Sequence, residues 1–272
     1  MALAGASEAL EKQKLGASQR IRQRLFSVAA NYTCQAAWSA IGDKRTERAR
    51  GLLDRALYLA GMAKDSVVEL QAWNLHSSLS HHRGEYTEAV HCGYAAQATA
   101  IARRDPFYGS LAHIRTALAH SNLGDRQAAL RSLGCAHEAL GKASLGDPRP
   151  IWTAFYGPGE LFALTAIVRD KIGEPAEAEA ASHKALASIP KEFRRNRALA
   201  TARLALNQLH QRDIDQACAT ASTVFTLMAG HPIPGRMRSL LGDYYRDLIT
   251  LAPDASVARE WADRYRTEWS RA

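Results

Sequence analysis

Histidine is the first residue type to consider for catalysis or metal binding, because the chain of 272 residues contains ten histidines. A zinc site on a helix needs ligands three or four residues apart on one face. His76, His81 and His82 do not show that spacing, and His113 and His120 are seven residues apart. Neither group has a cysteine or carboxylate partner in register. The pattern predicts structural or surface histidines, and we expect no metal and no other cofactor.

Short catalytic motifs are also missing from the sequence. There is no GxGxxG loop after a strand, no GxxxxGK[ST] loop and no GxSxG nucleophile turn. We therefore expect a protein that is not an enzyme. The four cysteines lie far apart, each within a helical stretch, as is typical of buried side chains in a reducing cytoplasm: Cys34, Cys92, Cys135 and Cys218.

The N-terminus and the hydropathy pattern predict a cytoplasmic location. Residues 1–15 carry several charges and no apolar core, so they do not resemble a signal peptide. No stretch approaches the length of uncharged apolar residues that a membrane span needs, so we expect no contact with a membrane.

The formal net charge of +8 comes largely from arginines that occur in clusters. A basic surface can attract nucleic acid or acidic partners. The alternative is that the arginines occupy solvated helix faces in a chain from a GC-rich genome, since the excess is spread along the whole sequence. The clusters are Arg20/Arg22/Arg24, Arg45/Arg48/Arg50, Arg194/Arg195/Arg197 and Arg236/Arg238.

The elements that position these residues repeat along the chain. The phrase GEYTEAVHCGYAA at 84–96 recurs as GDRQAALRSLGCA at 124–136 and as GEPAEAEAASHKA at 173–185. Alanines lie five and twelve residues after the glycine in each copy, so both fall on one helix face and allow a neighbouring helix to approach closely. Weaker copies occur at 42–56, where the interval of seven survives a two-residue insertion, and at 212–224. This periodicity predicts a solenoid.

Helical spacing and turn residues divide the chain into pairs of helices. We expect a flexible lead-in at 1–16, five helical hairpins at 17–230 and a capping helix pair at 231–272. The segment 146–150, with the sequence GDPRP, is the clearest linker. Asp105 and Pro106 suit the N-cap and first turn of a helix. The predicted fold is an all-α, right-handed α-solenoid.

These features resemble tetratricopeptide repeats. The small residue of helix A in that family corresponds here to Ser77, Ala117 and Ala166, seven residues before the turn glycine. Its aromatic residue corresponds to Trp73 and Phe162, and His113 departs from the pattern. The resemblance implies helix A, a Gly-Asp or Gly-Asn turn and helix B in each repeat.

A closer resemblance covers most of the chain. The chain resembles the C-terminal repeat domain of actinobacterial (Streptomyces-like) helix-turn-helix transcriptional regulators of the Cro-repressor type. The matching residues are Pro150-Ile151-Trp152, Phe155-Tyr156, Glu160-Leu161, IGEPAEAE at 172–179, RNRALATARL at 195–204 and Asp215-Gln216-Ala217-Cys218. In that family the repeats sense a signal or mediate assembly. No helix-turn-helix pattern precedes the first repeat here, so we expect a separated sensor domain or a regulator-like protein without its own DNA reader.

Helix A lines the concave groove in such repeats, at positions ten, six, three and two before the turn glycine. Asparagine and serine can hydrogen-bond an extended backbone there, and aliphatic neighbours can accept its side chains, which suits a peptide or a partly apolar small ligand. The alternative is an ordinary groove without a specific ligand. The predicted groove residues are Tyr32, Asn74, Ser78, His81, His82, Ile114, Leu118, Asn122, Ile167 and Asp170.

An aromatic stripe at the C-terminus includes Trp261, Tyr265 and Trp269 at steps of four. Such a stripe packs a terminal helix onto the last repeat, or it forms a dimer seam if it is exposed. We predict a non-catalytic sensor of bacterial transcriptional control that binds a peptide, a small signalling ligand or a protein such as a DNA-binding partner. The alternatives are a plain protein–protein scaffold and direct DNA binding through the basic surface.

Overall fold

The structure is a computed structural model that describes residues 1–13 and 18–270, without the side chains of Gln13, Trp269 and Ser270. The described residues form helices and connecting turns, with no β-strand among them. The helices are α1 (Ala2–Gln13), α2 (Gln19–Gly42), α3 (Thr46–Ala63), α4 (Ser66–His82), α5 (Tyr86–Ala98), α6 (Ala100–Arg104), α7 (Pro106–Asn122), α8 (Arg126–Gly141), α9 (Pro158–Lys171), α10 (Pro175–Ala187), α11 (Arg194–His210), α12 (Ile214–Met228), α13 (Gly235–Leu251) and α14 (Ser256–Ser270).

The chain forms two compact units, Met1–Pro148 and Arg149–Ala272. Their boundary falls in the segment that the sequence identifies as the clearest linker. In the first unit, α2, α4 and α7 are the A helices of three hairpins, and each is followed by an outer B helix. In the second unit α9/α10 and α11/α12 form hairpins, and one hydrophobic cluster joins α11 and α12 to α13 and α14.

The repeated alanines form the contact between helices, as predicted. Ala89, Ala129 and Ala178 are fully buried, and Ala96, Ala136 and Ala185 are at most 2% exposed. A methyl side chain at these positions lets neighbouring helices approach closely, and a larger side chain would separate them.

The outer helix of the second hairpin is broken at Thr99, which has extended backbone angles (φ −61°, ψ 148°) and separates α5 from α6. The Thr99 hydroxyl donates a hydrogen bond to the Ala96 carbonyl (2.7 Å) and accepts one from the Ala102 amide (3.4 Å). It therefore satisfies backbone groups of both α5 and α6. At the next helix, Asp105 caps α7 through the Phe107 amide and Pro106 occupies its first turn, as predicted.

The turns between helices A and B share one left-handed residue. This residue is Gly84, Gly124 or Gly173 in three hairpins, but Lys44 (φ 59°) and Arg212 (φ 68°) take its place in the other two. The position of Lys44 corrects the prediction that the turn of the first repeat begins at Gly42. Ala49 and Ala56 lie five and twelve residues after Lys44, so the first repeat has no insertion.

Most of the expected flexible lead-in at 1–16 is helical in the residues that the structure describes. Residues 2–13 form α1, which packs on α2 and buries Ala6 and Ala9 in the core of the first unit. Gly5 lies under the ring of Tyr32, where an added Cβ would come within 2.9 Å of Tyr32 Cε2. The small residues of this segment thus permit close helix packing. Residues 14–16 of the predicted lead-in lie outside the described residues.

Among the described helices, none combines the length and the apolar character that crossing a bilayer requires.

Candidate functional site

Helix A side chains from successive hairpins form the candidate site in the first unit. Counting from Lys44 instead of Gly42, the residue six positions before the turn is Trp38, which is equivalent to Ser78 and Leu118. Trp38 is 60% exposed, whereas Ser78 and Leu118 are buried. His82 and Asn122 are equivalent to each other, two positions before their turns. We call Trp38, Ser78, His81, His82, Leu118 and Asn122 the A face of the first unit.

Several predicted groove residues are packing residues in this structure. Asn74, Ser78, Ile114 and Leu118 are less than a tenth exposed, so their side chains contribute mainly to packing. Tyr32 is 37% exposed, but its ring packs over Gly5 and it is not in register with the other A-face residues.

The remaining predicted groove residues are accessible to different extents. His82 is exposed, while His81 and Asn122 in the first unit and Ile167 and Asp170 in the second are partly buried. A groove role for these residues stays a prediction.

Polar side chains link neighbouring A helices of the first unit. Arg115 Nε donates to Asn74 Oδ1 at 2.9 Å, which joins α7 to α4. Nearer the turns, Asn122 Nδ2 donates to the Leu118 carbonyl (2.6 Å) and lies 3.5 Å from His81 Nδ1. These contacts satisfy buried polar groups and fix the relative position of the two helices.

A second polar row joins the A helices of the second unit through His210. His210 Nδ1 lies 2.6 Å from Asp170 Oδ1 in α9, and His210 Nε2 lies 3.2 Å from Asp247 Oδ2 in α13. The hydrogen bond to Asp170 and the charges of both aspartates raise the pKa of His210, while burial opposes them. Of these three residues, the sequence identified only Asp170.

The signal that could have identified His210 was present in the sequence. His210 lies two residues before Arg212, and His82 and Asn122 likewise lie two residues before their turn glycines. Arg203 likewise corresponds to Arg115, nine residues before the turn. Burial lowers the pKa of Arg203, and the negative charges of Asp170 and Asp243 act in the opposite direction.

A cleft lies beside His210. It has a volume of about 410 Å³ and is lined by Asp170, Gly173, Pro175, His210, Arg212 and Leu251. Both ring nitrogens of His210 contact carboxylates, and no hydroxyl or thiol side chain is among the lining residues. Within the described residues, no group of three His, Cys, Asp or Glu side chains could hold a metal ion.

Trp261 and Tyr265 lie inside the second unit. Trp261 is 3% exposed, with its ring 4.7 Å from that of Tyr244, and Tyr265 stacks on Tyr245 at 5.0 Å. This packing corrects the alternative in which these two side chains form an exposed dimer seam. The side chain of Trp269, the third member of the stripe, lies outside the described residues.

Comparison with known proteins finds similarity in structure but not in sequence. No family model matches the chain, and no curated protein sequence matches it. The crystal structure of a thermophilic TPR protein from Thermus thermophilus superposes with a TM-score of 0.54 at 19% sequence identity. The match covers 81% of this chain and all of the other. The fold is therefore the tetratricopeptide-repeat-like α-solenoid that the sequence predicts.

Proposed function

We propose that this protein is a non-catalytic adaptor that binds a peptide or a segment of a partner protein on the A face of the first unit. The observation that carries the proposal is Trp38, a large aromatic side chain left 60% exposed at the register of the buried Ser78 and Leu118. An exposed tryptophan offers a partner a large apolar contact at little cost in conformational entropy. His82 and Asn122 can add hydrogen bonds to a bound backbone.

The finer proposal is that binding regulates bacterial transcription. It is supported by the resemblance of residues 150–161, 172–179 and 195–204 to the repeat domains of helix-turn-helix regulators. Binding would shift the population of helix arrangements, because the Arg115–Asn74 and Asn122–His81 contacts join A helices that a ligand on this face would touch. The change would then alter how a DNA-binding partner is presented.

Several basic residues are already neutralised, which favours a protein partner over DNA. Arg50 pairs with Glu85 at 2.7 Å, Arg83 pairs with Glu47 and Glu85, and Arg169 pairs with Glu174. Direct DNA binding would instead predict an affinity that falls steeply with salt concentration and shows little sequence preference. A fluorescence titration with duplex DNA at several salt concentrations distinguishes the two.

The test uses a phage-displayed library of random peptides, selected on the full chain. Selected peptides are resynthesised and titrated calorimetrically against the wild type, Trp38→Ala and Phe193→Ala. Phe193 is a matched control because it is an aromatic residue 56% exposed in the other unit. We expect Trp38→Ala to weaken binding by about tenfold or more and Phe193→Ala to leave it unchanged. Equal affinities for the wild type and Trp38→Ala would contradict the proposal, as would a library that yields no binder.

A further inference from the structure

The outer face of α3 carries a stripe of exposed residues that the A face does not include. Successive members of the stripe are separated alternately by three and four residues. They are Arg48, Gly51, Arg55, Tyr58 and Met62. Tyr58 is 67% exposed and Met62 is 46% exposed, and the other three residues are also exposed. Steps of three and four place residues on one face, in the pattern of the contact positions of a coiled coil.

The stripe is not needed to hold α3 in the fold. The opposite face buries Ala49, Leu53, Ala56 and Leu59 in the core of the first unit. Two positions of the stripe differ from their equivalents on the other outer helices of this unit. Tyr58 corresponds to Ala98 and Glu138, and Arg55 corresponds to Ala95 and Cys135. The pairing of an arginine with a tyrosine at these two positions is therefore particular to α3 within this unit.

The charge of the stripe is not neutralised locally. Of the neighbouring acidic residues, Glu47 pairs with Arg83, and Asp54 lies 3.4 Å from His76 Nε2. Among the described residues, neither Arg48 nor Arg55 forms an ion pair. Both guanidinium groups are thus available to carboxylates supplied from outside the chain.

We propose that the Arg48–Met62 stripe docks an acidic amphipathic helix of a partner protein. Tyr58 and Met62 would bury against aliphatic residues of that helix, and Arg48 and Arg55 would pair with its glutamates or aspartates. Arginine, tyrosine and methionine are enriched at protein interfaces, and Met adapts to irregular apolar surfaces. An added Cβ at Gly51 would meet no atom within 4 Å, so a partner helix can approach the backbone there. The apolar half of the stripe favours a protein over a nucleic acid.

The test uses a synthetic helical peptide of about 21 residues, or three heptads. It carries leucine at the contact positions and glutamate at the flanking positions, and a second peptide has lysine in place of each glutamate. Binding to the full chain is measured by fluorescence anisotropy for the wild type, Tyr58→Ala and the double variant Arg48→Glu/Arg55→Glu. Arg131→Glu, on the exposed outer face of α8, is the matched charge control. Circular dichroism confirms that each variant is folded.

We expect the glutamate peptide to bind the wild type and to lose about tenfold or more in affinity for the double variant. The lysine peptide should show the opposite preference, Tyr58→Ala should bind the glutamate peptide more weakly, and Arg131→Glu should bind it as the wild type does. Equal binding to wild type and double variant, or no binding to either, would overturn the proposal. So would duplex DNA that binds more tightly than the glutamate peptide and depends on Arg48 and Arg55. None of these outcomes bears on Trp38, so the two proposals can fail separately.

Discussion

His210 Nδ1 lies 2.6 Å from Asp170 Oδ1, a contact that ties α11 to α9 within the second unit. The other ring nitrogen of His210 contacts Asp247 of α13. A histidine between two carboxylates is favoured in its protonated form, so these contacts connect α9, α11 and α13 most strongly when His210 is charged.

The first prediction concerns pH. The pKa of His210 is raised in the folded protein above its unfolded value of about 6.5. Its stabilising effect is therefore fully present below the unfolded pKa and is lost as pH rises through the folded pKa. In urea unfolding just below the unfolded histidine pKa, His210→Gln should be less stable than the wild type by about 1 kcal/mol, a modest value because Asp247 is partly exposed. The difference should shrink at alkaline pH.

The other histidines do not affect the difference in stability between the wild type and His210→Gln. Burial lowers the pKa of His76, His113 and His120, so their effect on stability changes with pH in the opposite direction to that of His210. The wild type and His210→Gln both contain these three histidines, so their effect cancels in the difference. A difference between the wild type and His210→Gln that stays constant or grows with pH would contradict the prediction.

The second prediction concerns the left-handed turn residue. Lys44 occupies this conformation with φ 59°, and glycine adopts it without the steric cost of a Cβ. Lys44→Gly should therefore raise the free energy of unfolding by roughly 0.5–1 kcal/mol. Gly124→Ala, at the equivalent position of the third hairpin with φ 74°, should lower it by roughly 1–2 kcal/mol. Chemical denaturation measures both, and a Lys44→Gly variant that is destabilised would show that the turn register is wrong.

The third prediction concerns the contact between α5 and α7. An added Cβ on Gly93 would overlap Thr116 Oγ1 and would come within 3.2 Å of Thr116 Cα. Because one of these atoms belongs to the backbone, Gly93→Ala should cost about 1–3 kcal/mol of unfolding free energy. Gly134→Ala is the control, since a Cβ there meets nothing within 4 Å, and it should stabilise α8 by about 0.5–1 kcal/mol. Equal thermal shifts in the two variants would argue against the close contact.

The fourth prediction concerns Trp261. Its indole packs on Tyr244 and Phe225 inside the second unit, so Trp261→Ala should cost about 3–5 kcal/mol. Because the side chain is buried within one chain, the variant should have the same oligomeric state as the wild type under folding conditions. Near-ultraviolet circular dichroism and analytical ultracentrifugation measure the two effects. A changed sedimentation coefficient with unchanged stability would instead support the alternative that Trp261 lies in a dimer interface.

The order of the helices was predictable because turn residues and alanine spacing are local signals. The register of the first repeat was not, since Gly42 is the residue that sequence patterns favour for a left-handed turn, yet Lys44 adopts that conformation. Because of this displacement by two residues, Tyr32 was predicted to line the groove and Trp38 was not. The helix α1 was missed because its small residues also suit a flexible segment.

The Asp247 end of the polar row in the second unit depends on information that the repeat pattern does not contain. Asp170 and His210 are 40 residues apart, and Asp247 belongs to a helix pair that departs from the repeat. Burial was also unpredictable at Asn74 and Ile114, because the same spacing that places a side chain on helix A does not reveal how closely the next helix covers it.

The contacts His81–Asn122 and Asp170–His210 have the same offset, from the third residue before one turn to the second residue before the next. Inserting or deleting one residue near the end of an A helix would rotate its last turn by about 100° and break the contact. An insertion after an outer helix would leave the contact intact. Homologous chains should therefore differ in length between hairpins, while the distance from each A helix to its turn stays constant.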